Sequence, residues 1–154
     1  VVQQINYFLN KLNFPKLVII AVFCNLIISS IASLLSTHLI GRSINHGVKG
    51  FENLNEEFIL VVFLAPILET LLFQYLIINF FLTKTKSHYA CIISSFAFAL
   101  QHLYNSFYFI FALFIGFIFA YLFIIGVKKN YGFILVATAH SLYNFIVFIL
   151  KHFL

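Results

Sequence analysis

The chain has 154 residues, 63% of them hydrophobic and only 8% charged, with a mean hydropathy of +1.07. Soluble domains run nearer roughly 45–50% apolar and about 25% charged, so a water-soluble fold is excluded and lipid must cover the surplus apolar surface. The net charge of +5 does not indicate nucleic acid. The basic residues stand in short clusters at the ends of apolar runs, where they serve as topology signals and headgroup anchors.

In chain order, residues 1–16, with Lys11, Pro15 and Lys16, read as an interfacial helix leading into the bilayer. The chain starts Val1-Val2-Gln3-Gln4 without a Met, so a preceding segment is expected to be missing. A span needs about 20 apolar residues. Leu17–Ile40, Phe58–Leu82, Tyr89–Asn105, Phe107–Gly126 and Gly132–Leu150 meet or approach that length. The runs are continuous rather than alternating, which excludes a barrel. The first is too long for a secretory leader. The expectation is an all-α, polytopic transmembrane bundle of about five spans, forming one domain over residues 1–154.

Five spans put Lys11, Lys16, Lys84, Lys86, Lys128 and Lys129 on one side, against Arg42, Lys49 and Lys151 with Glu52, Glu56 and Glu57 on the other. The lysine-rich side, which includes the N-terminus, is therefore expected to be cytoplasmic. Richness in Phe, Ile, Asn and Lys fits an AT-rich genome, and with it a bacterial cell membrane. Cys24 and Cys91 lie inside apolar runs and read as small buried or lipid-facing residues.

Glu52, Glu56 and Glu57 are explained by a solvated loop. Glu69 is not, because it lies in the middle of the second apolar run. An ionisable group at that depth costs several kcal/mol unless paired or hydrated, and is by default a functional hypothesis. The plainer alternative is a protonated carboxyl bonding helix to helix. His38, His46, His88 and His152 fall at span ends or in loops, where interfacial or solvated roles suffice. His102 and His140 fall inside apolar runs, and Asn144 shares a helix face with His140 one turn away. At about 1.5 Å per residue, Glu69, His102 and Asn144 lie roughly 18–20 Å from the lysine-bearing ends of their helices, and His140 about 12 Å. Polar groups of three helices thus reach similar depths, which points to one shared site.

A carboxylate beside an imidazole in a low-dielectric pocket suits general-base activation of water. A second His and an Asn amide can donate to a developing oxyanion. Amide hydrolysis needs those parts. Glu69, His102 and His140 are also a possible metal set, for zinc or non-haem iron. Against this, no His-Glu-x-x-His pair lies on one helix, and Asn144 suits an oxyanion role better than a zinc shell.

At these residues the sequence resembles the CAAX-protease and bacteriocin-processing (CPBP, or Abi) intramembrane proteases. That family has three motifs on separate helices. The Glu-Glu-x-x-x-Arg motif, often preceded by Ala-Pro, is matched by Ala65-Pro66, Glu69, Thr70, Phe73 and Gln74. The Phe-x-x-x-His motif is matched by Phe98 and His102, and the His-x-x-x-Asn motif by His140 and Asn144. The resemblance covers a motif-bearing core at 65–144. It implies that Glu69 and His102 activate water, that His140 and Asn144 stabilise the oxyanion, and that no metal or other cofactor is required, zinc being the alternative. Two departures stand out: Thr70 replaces the second Glu of the first motif, and Gln74 its Arg. A neutral Thr70–Gln74 hydrogen bond in place of that charged pair is the expectation.

The function that follows is an intramembrane endopeptidase acting near the tail of a membrane-associated peptide or protein, reached from the cytoplasmic side. Membrane lipid and that tail are the expected partners. A non-catalytic protein of the same fold, acting in bacteriocin immunity or as a scaffold, is the main alternative. A proton-linked carrier is a third reading, weakened by the absence of repeat symmetry.

Overall fold

The computed structural model describes residues 2–41 and 51–153, and among these all regular structure is helical. Helix α1, Val2–Lys11, exposes Ile5, Tyr7 and Phe8 and carries Lys11 over the Tyr7 ring, as an interface-lying helix should. Asn13 then opens α2, Phe14–Ile40. Its side-chain oxygen accepts from the Lys16 amide, and Pro15 sits in the first turn. Gly41, at φ +68°, ends α2 by returning its N–H to the Thr37 carbonyl. Helix α3 spans Leu54–Leu82. It is followed by α4, Ser87–Leu100, α5, Ser106–Val127, and α6, Gly132–Phe153.

Helices α2, α3, α5 and α6 are each long and apolar enough to cross a membrane, while α4 has 14 residues. The chain is an integral membrane protein with an all-α polytopic bundle. The third span expected from sequence, Tyr89–Asn105, is cut short at Leu100. Asn105 belongs instead to the next helix, where its side-chain oxygen accepts from the amides of Phe107 and Tyr108 and so caps α5. Residues 101–105 make the intervening turn.

Helix α5 is the centre of the bundle. Its most apolar window is 61% buried, against 28–33% for the other three spans. It packs on α2, α4 and α6 through Phe111, Ala112, Ile115, Phe119, Ala120 and Phe123. Gly116 lets α4 close in, because a Cβ there would stand 3.0 Å from Phe98 Cδ1 and 3.1 Å from Ser95 Cα. At the lysine-bearing end, Lys129 Nζ donates to the Leu12 carbonyl, and Phe14 meets Tyr131 edge to face at 5.4 Å. Lys84 and Lys86 lie in or beside the α3–α4 turn at that same end. Arg42 and Lys49, assigned to the far side from sequence, and His46, read as a loop residue, lie outside the described residues.

Helix α3 is wound in i→i+5 turns over Ile59–Leu64 and Thr70–Ile78, on both sides of an α-helical Ala65–Glu69. Pro66 helps explain the first of these. The Ala65 N–H reaches back to the Leu60 carbonyl, and in that wider register the Val61 carbonyl would be served by residue 66, which has no N–H to give. The orphaned acceptor must find a donor elsewhere.

Glu57 corrects the sequence reading of a fully solvated acidic loop. It lies in the first turn of α3 and is buried. One carboxylate oxygen is 2.6 Å from Lys151 Nζ and the other 3.2 Å from His152 Nε2. His152, read as interfacial, is therefore half of a clasp between the ends of α3 and α6. Phe58 packs beside it against Phe145 and Phe148.

Candidate active site

A cavity of about 190 Å³ lies between α3, α4 and its turn into α5, α5 and α6. Glu69, His102, His140 and Asn144 all line it, together with Val61, Phe98 and Tyr108. The four polar residues picked out by depth in the sequence thus share one enclosure. A larger cavity of about 580 Å³ lies at the lysine-bearing end, around Tyr75, Asn79, Phe123 and Tyr131. Its lining carries no His, Cys, Asp or Glu, unlike that of the smaller space.

Each side chain is placed by its own element. Glu69 closes the short α-helical segment between the two widened stretches of α3. Its Oε2 lies 3.7 Å from His140 Nε2, beyond hydrogen-bond reach, and its side chain remains 20% accessible. The carboxylate is therefore near an imidazole but not consumed by it. His140 is buried and wedged between rings, with Phe119 at 4.6 Å and Phe98 at 6.0 Å. Its Nδ1 has no hydrogen-bond partner among the described residues. Its Nε2 faces Glu69.

His102 is held in the α4–α5 turn by backbone bonds, its amide donating to the Ala99 carbonyl and its carbonyl accepting from the Asn105 amide. Its ring contacts Tyr108 at 4.8 Å, Phe98 at 5.5 Å and Tyr104 at 6.0 Å. Phe98, one turn before it, also meets Phe73 at 5.8 Å. One phenyl ring therefore fixes both imidazoles relative to α3. Asn144 Nδ2 donates to the Val61 carbonyl at 2.8 Å. That is the acceptor left without a partner by Pro66, so α6 supplies the donor that α3 lacks.

Thr70, next to Glu69, and Gln74, one turn further along α3, are both fully buried. The hydrogen bond expected between them is not made: Thr70 Oγ1 and both amide atoms of Gln74 have no partner among the described residues. Nearby, Ser94 Oγ donates to the Phe73 carbonyl at 2.9 Å and joins α4 to the widened part of α3.

Among the described residues, no three His, Cys, Asp or Glu side chains converge closely enough to hold a metal ion. The set Glu69, His102 and His140 does not fit a three-ligand site in this arrangement. Tyr108 and Tyr143 also line the cavity and were not singled out from sequence. Their only signal was spacing, since Tyr108 precedes the buried Ala112 by one turn and Tyr143 shares the His140 face.

The model of one protein family, described as type II CAAX prenyl endopeptidase Rce1-like, matches residues 53–146. The match runs from the start of α3 through most of α6 and contains all four polar residues of the cavity. No curated protein and no solved structure matches the chain.

Proposed function

The chain belongs to the Rce1-like family of type II CAAX prenyl endopeptidases, and from that premise we propose that it hydrolyses a peptide bond within the membrane with a water activated by Glu69. The observation that carries this reading is the placement of Glu69, close to His140 Nε2 yet without a hydrogen bond to it, on a cavity of about 190 Å³. A water molecule takes about 30 Å³, so water and an amide carbonyl have room beside the carboxylate.

In this scheme Glu69, with His102 orienting the water, takes a proton as the water oxygen adds to the carbonyl carbon. The oxyanion that forms is held by donors already in place. A proton on His140 Nε2 is the one that points into the site. Asn144 spends one amide N–H on Val61 and has a second to offer. Collapse breaks the C–N bond, and the amine leaves with the proton from Glu69. No metal is required. The lysine-bearing end, with the N-terminus, is assigned to the cytoplasm of a bacterial cell.

The buried and unpartnered Thr70 and Gln74, where the family carries Glu and Arg, favour a second reading: a fold-sharing protein that no longer cuts and acts in immunity or as a scaffold. One experiment separates the two. The purified protein is incubated in mild detergent with tail-like and leader-like peptides, and products are read by mass spectrometry for wild type and Glu69→Gln, each with and without a chelator. Cleavage lost in Glu69→Gln but kept under chelation supports the glutamate mechanism. Cleavage lost to the chelator moves the site to a metal. No cleavage by the folded protein favours the second reading.

A further inference from the structure

A third cavity, of about 220 Å³, lies between α1, α2 and α5 and shares no lining residue with the Glu69 cavity. Ile5 and Leu9 of α1 line it, with Leu17 and Cys24 of α2 and Phe117 and Tyr121 of α5. The Cys24 thiol and the Tyr121 hydroxyl are the only polar side-chain groups in its lining. Leu17 to Cys24 rises about 10 Å, so on α2 the cavity stays within one leaflet of a core about 30 Å thick. Helices α1 and α2 also precede residues 53–146, the stretch matched by the family model.

The lining restricts the occupant. A helix, about 10–12 Å across with its side chains, does not fit a space of about 220 Å³. An extended peptide would bring N–H and C=O groups that this lining cannot satisfy, which hydrocarbon depth does not tolerate. Water needs two to four polar partners and finds too few. Left empty, the lining forfeits its dispersion contacts. A hydrocarbon chain fills it and asks for no partner.

The cavity ends at a basic cluster. Lys11 is two residues past Leu9, Lys16 directly precedes Leu17, and Lys129 donates from Nζ to the Leu12 carbonyl between them. The four acidic residues of the chain are elsewhere: Glu52, Glu56 and Glu57 at or before the first turn of α3, and Glu69 on the other cavity. Topology requires basic residues at this end, but not three ammonium groups converging beside an apolar cavity without a carboxylate.

We infer that this cavity holds one acyl chain of an anionic diacyl lipid, with its phosphate among Lys11, Lys16 and Lys129. With the lysine-bearing end in the cytoplasm, the leaflet concerned is the one that carries anionic lipid. The bound lipid then ties α1 and α2 to α5. Nothing in this site requires that the protein cut a peptide.

Native mass spectrometry of the protein released from mild detergent reads the site, after incubation with phosphatidylglycerol or with phosphatidylcholine of the same chains. Wild type is expected to retain one phosphatidylglycerol per chain, about tenfold or more above phosphatidylcholine. Lys11→Gln with Lys16→Gln should cut that preference several-fold. Cys24→Phe, which fills the cavity, should lower retention of phosphatidylglycerol several-fold at an unchanged melting temperature. No retained lipid, equal retention of the two lipids, or a preference untouched by the lysine substitutions overturns the inference. Retention that survives Cys24→Phe puts the chain elsewhere, and a lipid-free dimer that Cys24→Phe dissociates puts a second copy in the cavity; either overturns it too. If Cys24→Phe does not fold, a phosphatidylglycerol with a photoreactive acyl chain decides on wild type. Adducts concentrated on residues 5–24 and 117–125 support the site, and adducts spread over all the lipid-facing helices overturn it.

Discussion

Helix α3 carries two carboxylates that α6 approaches, and they are treated differently. Glu57 is held at 2.6 Å by Lys151 and at 3.2 Å by His152, with little of its side chain accessible. Glu69 is offered an imidazole at 3.7 Å and left with one-fifth of its side chain accessible to a cavity. A satisfied buried charge holds elements together, and there is little left of it to react. An under-satisfied one costs stability and retains its bonding capacity for something that arrives. On this helix the first is a clasp and the second is proposed as a base.

The contrast can be broken most directly at Glu69. Replacing it with Gln preserves shape, so stability in detergent should hardly move, while peptide cleavage read by mass spectrometry should fall by about 10²–10⁴-fold. A large loss of stability with it would make Glu69 a second clasp. Asn144→Ala comes next. It should slow cleavage about 10²–10³-fold if its free N–H serves the oxyanion. It should also lower unfolding stability by about 1 kcal/mol, because the Val61 carbonyl loses its donor.

Glu57→Gln should do the reverse of Glu69→Gln. Cleavage should stay within several-fold of wild type, and denaturant titration should show a loss of about 1.5–3 kcal/mol from the charge-assisted bonds. Lys151 is half accessible and can return to water, so the cost stays below that of a stranded buried charge. The smallest effect is expected at Thr70→Val. That change removes a buried hydroxyl without a partner at nearly constant shape, so unfolding stability should be unchanged or rise by up to about 1 kcal/mol. A clear loss would mean that Thr70 has a partner in the working protein.

Much of this arrangement was legible in the sequence. Apolar run length locates the four long helices, and the depth of Glu69, His102, His140 and Asn144 brings them to one cavity, because helix rise converts sequence position into height. The end of α4 was not legible, since Gln101, His102 and Asn105 sit between two apolar runs and read as polar members of one span until the Asn105 side chain is seen to cap the next helix. Glu57 was misread for a related reason: a carboxylate in a loop-like stretch looks solvated until its partners, Lys151 and His152, arrive from the other end of the chain. The orphaned pair Thr70 and Gln74 was invisible for the opposite reason. Spacing shows that two groups can meet, and says nothing of rotamers that keep them apart.

Pro66 has a consequence of another kind. Read along one strand of text, Ala65-Pro66 and His140-x-x-x-Asn144 are separate signatures. In three dimensions they are a socket and its plug, because the missing N–H of the proline creates the vacancy that the Asn144 amide fills at Val61. Their identities should therefore travel together under selection. An alanine at 66 would let α3 close its own ladder, free the Asn144 side chain to turn, and make substitutions at 144 cost less than they do beside the proline.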